Sequence, residues 1–429
     1  MSRERAELDT GDERLDLALV PGSIGDTGLD INQLRNSTGK VTLDFGFANT
    51  AGCRSAITYV NGEEGILRYR GYPIEQLAED STFLEVAYLL FHGELPTAAQ
   101  LAQYRAEITH HTLLNEEMKK FFDAFPKSAH PMAILASATA AMATFYPAFH
   151  NPTDPYAVEQ SSIRLVAKLP TVAAFAYKKS IGLPYSYPRN SLDYAANFLH
   201  MMFSLPVEDY EVDPLIARAL DVLLILHADH EQNCSTATVR LVGSSRANLF
   251  ASVSAGISAL WGPLHGGANQ RVLEMLASIH EEGHDCRRAV ERAKDPDDPY
   301  RLWGFGHRVY KSYDPRARIL RGFAHRILDR MGSDDPLLDI AMSLEEIATS
   351  DEYFLERRLY PNVDFYSGIM FRALGFPARM FTVLFAIGRL PGWIAQWKEM
   401  TGDPDTRIGR PRQIYVGEVL RNYLPIEER

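Results

Sequence analysis

The stretch DPLIARALDVLLILHADHE, residues 213–231, predicts a buried helix that carries polar chemistry at its carboxyl end. Asp213 and Pro214 are typical of a helix N-cap and of the first helical position after it. The residues that follow are apolar on most sides, which is typical of a helix surrounded by other helices. His227 and His230 then close the run. The segment therefore indicates a helical core with ionisable side chains at one end.

The pattern outside this segment is also helical, from about residue 73 onward. Residues 246–262, RANLFASVSAGISALWG, are rich in small residues that permit close helix packing, and Gly262-Pro263 predicts the helix end. Residues 128–153 contain no Asp, Glu, Lys or Arg. Because their alanine, serine and threonine are only weakly apolar, we expect a buried helix there and no membrane span. A mainly α fold follows.

The amino-terminal residues differ in composition from the rest. VTLDFGF at 41–47 and SAITYVNGEEGILRYRG at 55–71 carry β-branched and aromatic residues, and the second contains Asn61-Gly62. An Asn-Gly pair between such runs is typical of a β-hairpin. We therefore expect a small β-rich segment over residues 1–72.

Length and composition bound the function. The chain has 429 residues, 46% of them hydrophobic and 23% charged, which is typical of a soluble protein of two or three structural units. A net charge of −11 disfavours nucleic-acid binding. The three cysteines form no CxxC pair, and the charged first residues, MSRERAELDTGDERLD, are unlike a secretory signal. We expect a cytoplasmic protein with neither nucleic-acid nor membrane partners.

Histidines and an aspartate in further motifs indicate acid–base chemistry, because these groups exchange protons near neutral pH. They are His265 in WGPLHGG, His307 in GFGHRVY and Asp364 in PNVDFYSG. We expect a helix amino terminus after Gly267 to keep His265 neutral, and aromatic neighbours to raise the pKa of Asp364. Taken singly, each residue also has an ordinary structural interpretation. His265 could cap a turn, His307 could lie in a flexible loop, and Asp364 could be a helix N-cap.

Three arginines follow these motifs or lie among them. Arg316 comes after Asp-Pro, Arg389 interrupts the apolar run MFTVLFAIGRLPGW, and Arg410 lies in GRPRQIY. A surface charge is the ordinary interpretation of a single arginine, but Arg389 needs a partner or a ligand in its apolar surroundings. Arginines bind carboxylates by paired hydrogen bonds. Together with the histidines, they indicate an enzyme that acts on a small, multiply charged organic acid.

A metal site is the alternative for the first motif. His227, His230 and Cys234 are spaced to lie on one side of a helix. However, HADHE is neither HExxH nor HxxEH, and no fourth ligand is evident, so we expect no metal.

Taken together, the motifs resemble the citrate synthase family, and most closely its bacterial, hexameric-type group with an additional amino-terminal β segment. The resemblance extends from ITYVNGEEGILRYRGYPIEQL at 57–77 to RPRQIYVG at 410–417. Between them, HADHEQN, WGPLHGGAN, GFGHRVYK-x-YDPRA and PNVDFYSG occur in the family's order and spacing. The order of the four motifs is far more specific than any one of them.

The resemblance implies a two-domain helical fold with a cleft between the domains. Residues 1–72 would form the β-rich segment, residues 73–270 and 381–429 the large domain, and residues 271–380 the small domain. The implied enzyme is an acyltransferase, a Si-type citrate synthase, which condenses acetyl-CoA with oxaloacetate and water to give citrate and CoA. It would need neither metal nor cofactor, and it would form a homodimer or a homohexamer.

The resemblance also implies a role for each motif residue. Asp364 would remove a proton from the acetyl methyl group, His265 would hydrogen-bond the thioester oxygen, and His307 would polarise the ketone of oxaloacetate. His230, Arg316, Arg389 and Arg410 would hold the carboxylates, with Arg410 supplied by a neighbouring subunit. His227 would line the site. Two alternatives remain: a 2-methylcitrate synthase that uses propionyl-CoA, and a non-catalytic helical scaffold or metal-binding protein.

Overall fold

The computed structural model describes residues 5–331 and 335–429. The first four residues of the predicted β-rich segment and residues 332–334 of the predicted small domain lie outside the described residues. The chain divides into two compact units. One combines Met1–Arg54 with Arg407–Arg429, and the other is Ser55–Thr406.

The first unit contains an antiparallel sheet of three strands in sequence order. The strands are β1 (Arg5–Asp9), β2 (Arg14–Pro21) and β3 (Thr27–Asp30), and a short helix, α1 (Leu34–Thr38), follows them. Strands β1 and β2 pair from Arg5 opposite Ala18 to Asp9 opposite Arg14. The prediction of a β-rich amino-terminal segment is confirmed in this part of the chain.

The prediction of β structure at 41–47 is wrong. Phe45–Phe47 form a single 3₁₀ turn instead. The carboxylate of Asp44 accepts hydrogen bonds from the backbone N–H groups of Ala48 at 3.2 Å and Asn49 at 2.9 Å. Gly46 adopts a φ of 74°. A local side-chain bond therefore bends the backbone where hydrophobic composition alone favours a strand.

The predicted hairpin is confirmed in the second unit. Strands β4 (Thr58–Asn61) and β5 (Ile66–Tyr69) pair antiparallel with Thr58 opposite Tyr69, and β6 (Tyr72–Pro73) pairs with β5. The side chain of Asn61 accepts hydrogen bonds from the backbone N–H groups of Glu63 and Glu64, both at 3.1 Å. Asn61 thus shapes the turn that joins β4 to β5.

The rest of the second unit is helical, as predicted from residue 73 onward. Its helices are α2 (Ile74–Asp80), α3 (Phe83–His92), α4 (Ala98–His110), α5 (Met118–Asp123), α6 (Pro131–Met142), α7 (Pro155–Ile181), α8 (Tyr194–Phe203), α9 (Pro214–Leu226), α10 (Cys234–Gly243), α11 (Leu249–Leu260), α12 (Ala268–Glu281), α13 (Cys286–Lys294), α14 (Pro315–Met331), α15 (Pro336–Ser350), α16 (Glu352–Glu356), α17 (Val363–Ala373) and α18 (Phe381–Gly402). No helix within the described residues has the length and hydropathy required to cross a bilayer.

Helix α18 lies at the centre of this unit, buried from Phe381 to Trp397, and it packs against α3, α7, α9, α10 and α11. Helix α9 begins as predicted, since the Asp213 carboxylate accepts a hydrogen bond from the N–H of Leu215 at 2.7 Å. A Cβ at Gly392 would lie 2.2 Å from the carbonyl oxygen of Ala228. Because Gly392 has no side chain, the loop after α9 can contact the backbone of α18 directly.

Candidate active site

His227 is the C-cap residue directly after helix α9 and is 1% exposed. Its Nδ1 lies 2.7 Å from the carbonyl oxygen of Leu223, so Nδ1 carries the proton and donates it. Its Nε2 is buried and has no hydrogen-bond partner among the described residues. Burial lowers the pKa of His227 to about 3, so the ring is neutral at physiological pH.

Arg389, on α18, is 2% exposed and contacts the loop that follows α9. Its Nε donates a hydrogen bond of 2.6 Å to the carbonyl oxygen of His227. Within the described part of the chain, its two terminal nitrogens donate no hydrogen bond. Burial lowers the pKa of Arg389 to about 10, although Asp229 favours the charge. Arg389 is therefore a buried cation with donors left for a ligand, and it is not a surface charge.

Arg316 lies in the first turn of α14 and is also 2% exposed. It makes a bidentate pair with Asp314, with Nε–Oδ1 at 3.0 Å and a second contact to Oδ2 at 2.8 Å. Burial opposes its charge, but Asp314 and Tyr310 outweigh that effect and raise the pKa of Arg316. Asp314 Oδ2 also accepts from the N–H of Val363 at 3.0 Å. The starts of α14 and α17 are thereby joined.

His307 lies in the loop before α14, close to His230. Its Nδ1 accepts hydrogen bonds from the N–H groups of Val309 at 3.0 Å and Tyr310 at 3.3 Å, so its proton resides on Nε2. The ring centres of His230 and His307 are 5.4 Å apart, and His230 Nε2 lies 3.3 Å from the hydroxyl of Tyr310. Burial and then Arg316 lower the pKa of His307 to about 4 and that of His230 well below its usual value.

His265 lies between α11 and α12. Its Nε2 accepts a hydrogen bond from the backbone N–H of Ser235 at 3.2 Å, and the Ser235 hydroxyl oxygen is 2.9 Å from the same nitrogen. The proton of the neutral ring therefore resides on Nδ1. Burial lowers the pKa of His265 to about 4, with a smaller contribution from Arg389. The predicted lowering of the His265 pKa is confirmed, but its leading cause is burial and not the helix terminus.

Asp364 is the second residue of α17. The N-cap of this helix is Asn362, whose side chain accepts from the N–H of Asp364 at 3.0 Å, so a capping role for Asp364 is excluded. Among the described residues, none donates a hydrogen bond to the Asp364 carboxylate. Burial raises the pKa of Asp364 to about 6, and the Arg316 and Arg389 charges oppose that rise. The carboxylate is thus more basic than an ordinary aspartate.

Seven of the eight predicted site residues belong to the unit Ser55–Thr406. Arg410 belongs to the other unit, where its side chain is exposed. The charges of Arg316 and Arg389 both act on His227, His230 and Asp364, so these five residues share one electrostatic environment. That environment combines neutral imidazoles, a basic carboxylate and two buried cations. It suits the binding of a dianion and the transfer of protons.

Sequence reasoning missed several contacting residues. Asp314 could have been found, because an acidic residue two positions before Arg316 at a helix start can cap the helix and pair with the arginine. The contacts of Ser235 with His265 and of the Tyr310 hydroxyl with His230 had no comparable signal, since these partners are 30 and 80 positions apart in sequence. Within the described ranges, no group of three or more His, Cys, Asp and Glu side chains is arranged to hold a metal ion.

The family model for the citrate synthase C-terminal domain matches residues 46–412. Citrate synthase 1 of Mycobacterium tuberculosis strain H37Rv is 59% identical over 415 residues, which cover 97% of this chain and 96% of that protein. The citrate synthase of Corynebacterium glutamicum is 53% identical over 415 residues, which cover 96% of this chain and 95% of that protein.

Solved structures resemble the chain over nearly the same extent. Citrate synthase from Pyrobaculum aerophilum has a TM-score of 0.83 and 38% identity, and the match covers 91% of this chain and 98% of that one. The citrate synthase of Thermoplasma acidophilum, solved as a ternary complex with carboxymethyl coenzyme A and oxaloacetate, has a TM-score of 0.82 and 29% identity, and the match covers 90% of this chain and 100% of that one. The chain therefore belongs to the citrate synthase family.

Proposed function

We propose that this protein is a Si-type citrate synthase, an acyltransferase that condenses acetyl-CoA with oxaloacetate and water to give citrate and CoA, the first step of the tricarboxylic acid cycle. The observation that carries the proposal is the shared environment of Asp364, the two neutral histidines His227 and His230, and the two buried arginines. The Thermoplasma acidophilum relative, solved with carboxymethyl coenzyme A and oxaloacetate, supports the same pair of substrates.

Oxaloacetate is held through its two carboxylates. Arg389 offers its terminal nitrogens, while its Nε is fixed on the His227 carbonyl. Arg316 is fixed by Asp314 and supplies a second positive charge, and His230 contributes a hydrogen bond. His227 lines the site, and Arg410 of a second subunit completes it. Buried and already oriented, the two arginines lose little freedom when the dianion binds.

His307 acts on the ketone of oxaloacetate. Because its Nδ1 accepts from Val309, its Nε2–H is the donor available to the ketone oxygen. A donor at that oxygen withdraws electrons from the carbonyl carbon and stabilises the negative charge that forms there. The Nε2 proton passes to the oxygen as the new hydroxyl group of citrate forms. Asp364 then releases the proton that it took from the methyl group and His307 regains one, so the enzyme returns to its starting protonation state.

Asp364 removes a proton from the methyl group of acetyl-CoA. Each unit of pKa mismatch between a base and a carbon acid costs about 1.36 kcal/mol, so the rise of the Asp364 pKa to about 6 narrows the gap without closing it. His265 supplies the missing stabilisation through Nδ1–H, aimed at the thioester oxygen that becomes the enol oxygen. One such donor supplies about 3–4 kcal/mol.

Carbon–carbon bond formation and hydrolysis of the thioester complete the reaction. The enol carbon attacks the si face of the ketone carbon, the new carbon–carbon bond forms, and citryl-CoA results. Water then cleaves the thioester, which gives citrate and free CoA. Residues 271–380 form the small helical domain that closes on residues 73–270 and 381–429, and closure excludes water until the carbon–carbon bond has formed.

Self-association as a homodimer or homohexamer in the cytoplasm is part of the proposal. The carboxyl-terminal segment supports it, because large apolar side chains are exposed there: Val416 at 92%, Val419 at 100% and Leu420 at 81%. An exposed apolar series of this kind is typical of a surface that a second chain covers.

The test is a thiol-release assay with oxaloacetate and either acetyl-CoA or propionyl-CoA. Citrate synthase activity requires CoA release that depends on oxaloacetate, with the larger kcat/KM for acetyl-CoA. One methylene group is worth about 1–3 kcal/mol of discrimination, so the two kcat/KM values should differ measurably. A larger value for propionyl-CoA would identify a 2-methylcitrate synthase. No CoA release, together with stoichiometric zinc, would support a metal-binding scaffold.

A further inference from the structure

The loop of His307, residues 304–314, contains neither a helix nor a regular strand, so other segments must hold it. On one side it is bonded to the segment before α17. The N–H of Gly306 donates to the carbonyl of Tyr360 at 2.8 Å, and the N–H of Asn362 donates to the carbonyl of Gly304 at 2.9 Å. These bonds tie His307 to the helix that carries Asp364.

On the other side the loop contacts the turn between β4 and β5. The N–H of Lys311 and the hydroxyl of Ser312 both donate to the carbonyl of Gly62, at 2.9 Å and 3.3 Å. A Cβ at Gly62 would lie 2.1 Å from the carbonyl oxygen of Val309 and 2.7 Å from its carbonyl carbon. This is contact between two backbones, so no rotation of a side chain can relieve it.

Val309 connects Gly62 to the imidazole of His307. The N–H of Val309 donates to His307 Nδ1 at 3.0 Å, and the N–H of Tyr310 donates to the same atom at 3.3 Å. Displacing Val309 therefore moves the donors that orient the ring and keep its proton on Nε2.

The same hairpin contacts the loop of His230. The N–H of Val60 donates to Glu231 Oε1 at 3.2 Å, and the hydroxyl of Tyr69 donates to the carbonyl of Asp229 at 3.1 Å. One short piece of sheet is thus bonded to both histidine loops, whose rings lie 5.4 Å apart.

We propose that the β4–β5 hairpin sets the relative position of His230 and His307, and that Gly62 is a positioning residue for His307. This inference rests on the proposed function, in which both histidines contact oxaloacetate. Glycine is required at position 62 because the loop backbone occupies the space of any side chain. A methyl group there must displace Val309 by about 1 Å, and an error of that size at a reacting group costs about 100-fold in rate.

The experiment compares Gly62→Ala with Gly322→Ala. Gly322 is exposed on α14, and a Cβ there meets no atom within 4 Å, so this variant is the matched control. Three quantities are measured: kcat, KM for oxaloacetate, and the ring ¹⁵N resonances of His307, assigned with His307→Asn. We expect Gly62→Ala to lower kcat about 100-fold, to change KM for oxaloacetate less because both arginines remain in place, and to shift the His307 resonances. Gly322→Ala should match the wild type in each.

A folded Gly62→Ala protein with wild-type kcat and unshifted His307 resonances would overturn the inference. If Gly62→Ala does not fold, Ser312→Ala decides, because it removes one hydrogen bond to Gly62 and leaves the glycine in place. We expect Ser312→Ala to lower kcat severalfold and to shift the same resonances, and wild-type behaviour would reject the inference. A wild-type protein that forms no citrate would refute the proposed function instead, and the ¹⁵N resonances would still test the role of Gly62.

Discussion

The backbone N–H of Ser235 donates a hydrogen bond to Nε2 of His265 at 3.2 Å. A backbone amide cannot accept a proton, so this contact places the imidazole proton on Nδ1 and disfavours the doubly protonated ring. Burial acts in the same direction, since it lowers the pKa of His265 to about 4. His265 is therefore a neutral donor at physiological pH, which its proposed role of stabilising the enol requires.

Asp364→Ala should reduce kcat by about 10²–10⁴-fold, because a positioned general base contributes that much. The variant should be at least as stable as the wild type at pH 8. The reason is that burial opposes ionisation of Asp364, so the carboxyl group lowers the stability of the fold as the pH rises from 3.8 to about 6, and the full loss applies at pH 8. A thiol-release assay and thermal unfolding measure the two effects.

Asp339→Ala is the matched control for this variant. Asp339 is an exposed aspartate on α15 and should tolerate the same change without loss of rate. Wild-type turnover in Asp364→Ala would remove Asp364 from its proposed role.

The activity should fall in acid with an apparent pKa near that of Asp364. Burial raises this pKa to about 6, so below pH 6 the base is increasingly protonated and kcat/KM should drop about tenfold per pH unit. His265 and His307 have pKa values of about 4 and stay neutral over most of that range. A kcat/KM that is constant down to pH 4 would contradict the assignment.

Arg389→Lys should raise KM for oxaloacetate by about 10–100-fold. Arg389 bonds the His227 carbonyl through Nε and keeps its terminal nitrogens for a carboxylate, whereas a lysine ammonium cannot occupy both positions. Arg301→Lys changes an exposed arginine and is the matched control. Equal KM values in the two variants would argue that Arg389 serves only the fold.

Arg410 should act in the active site of a neighbouring subunit. Arg410→Ala and Asp364→Ala should each be nearly inactive alone, yet mixed dimers formed on co-expression should regain about a quarter of the wild-type activity. The reason is that half of the dimers are mixed and each of those has one site with both native residues. Activity that stays at the level of the single variants would place both residues in one chain's site.

Acid should destabilise the fold through His227. Burial lowers the pKa of His227 from 6.5 to about 3, so the unfolded chain binds the proton first as the pH falls. Its contribution to stability is complete above pH 6.5, is lost as the pH falls toward 3, and amounts to about 2 kcal/mol between pH 7 and pH 5. Urea unfolding at both pH values should show a smaller loss for His227→Gln than for the wild type.

The exposed His110→Gln is the control for that comparison. If the wild type and His227→Gln lost the same free energy of unfolding between pH 7 and pH 5, the imidazole of His227 would not be the group that titrates.

Local features of the fold could be predicted from local sequence. The Asp213 cap, the β4–β5 hairpin and the helical region from residue 73 each depend on neighbours within a few positions. The same reasoning failed at 41–47, where the Asp44 carboxylate bonds the backbone in competition with a strand. Whether a segment forms a helix or a strand was predictable where its hydrophobic pattern and its local side-chain hydrogen bonds favour the same structure.

The residue types available for chemistry, the order of the motifs and the helical class could all be predicted from the chain alone, because they depend on composition, spacing and short-range capping. The three-dimensional packing was needed to establish which nitrogen carries the proton in His227, His265 and His307, and how basic Asp364 is. It also decided which partners Arg316 and Arg389 have and which short turn touches the His307 loop. These properties depend on burial and on atoms far apart in the chain, such as Ser235 beside His265 and Gly62 beside Val309. No local pattern specifies such contacts, because the packing of the whole unit brings them together.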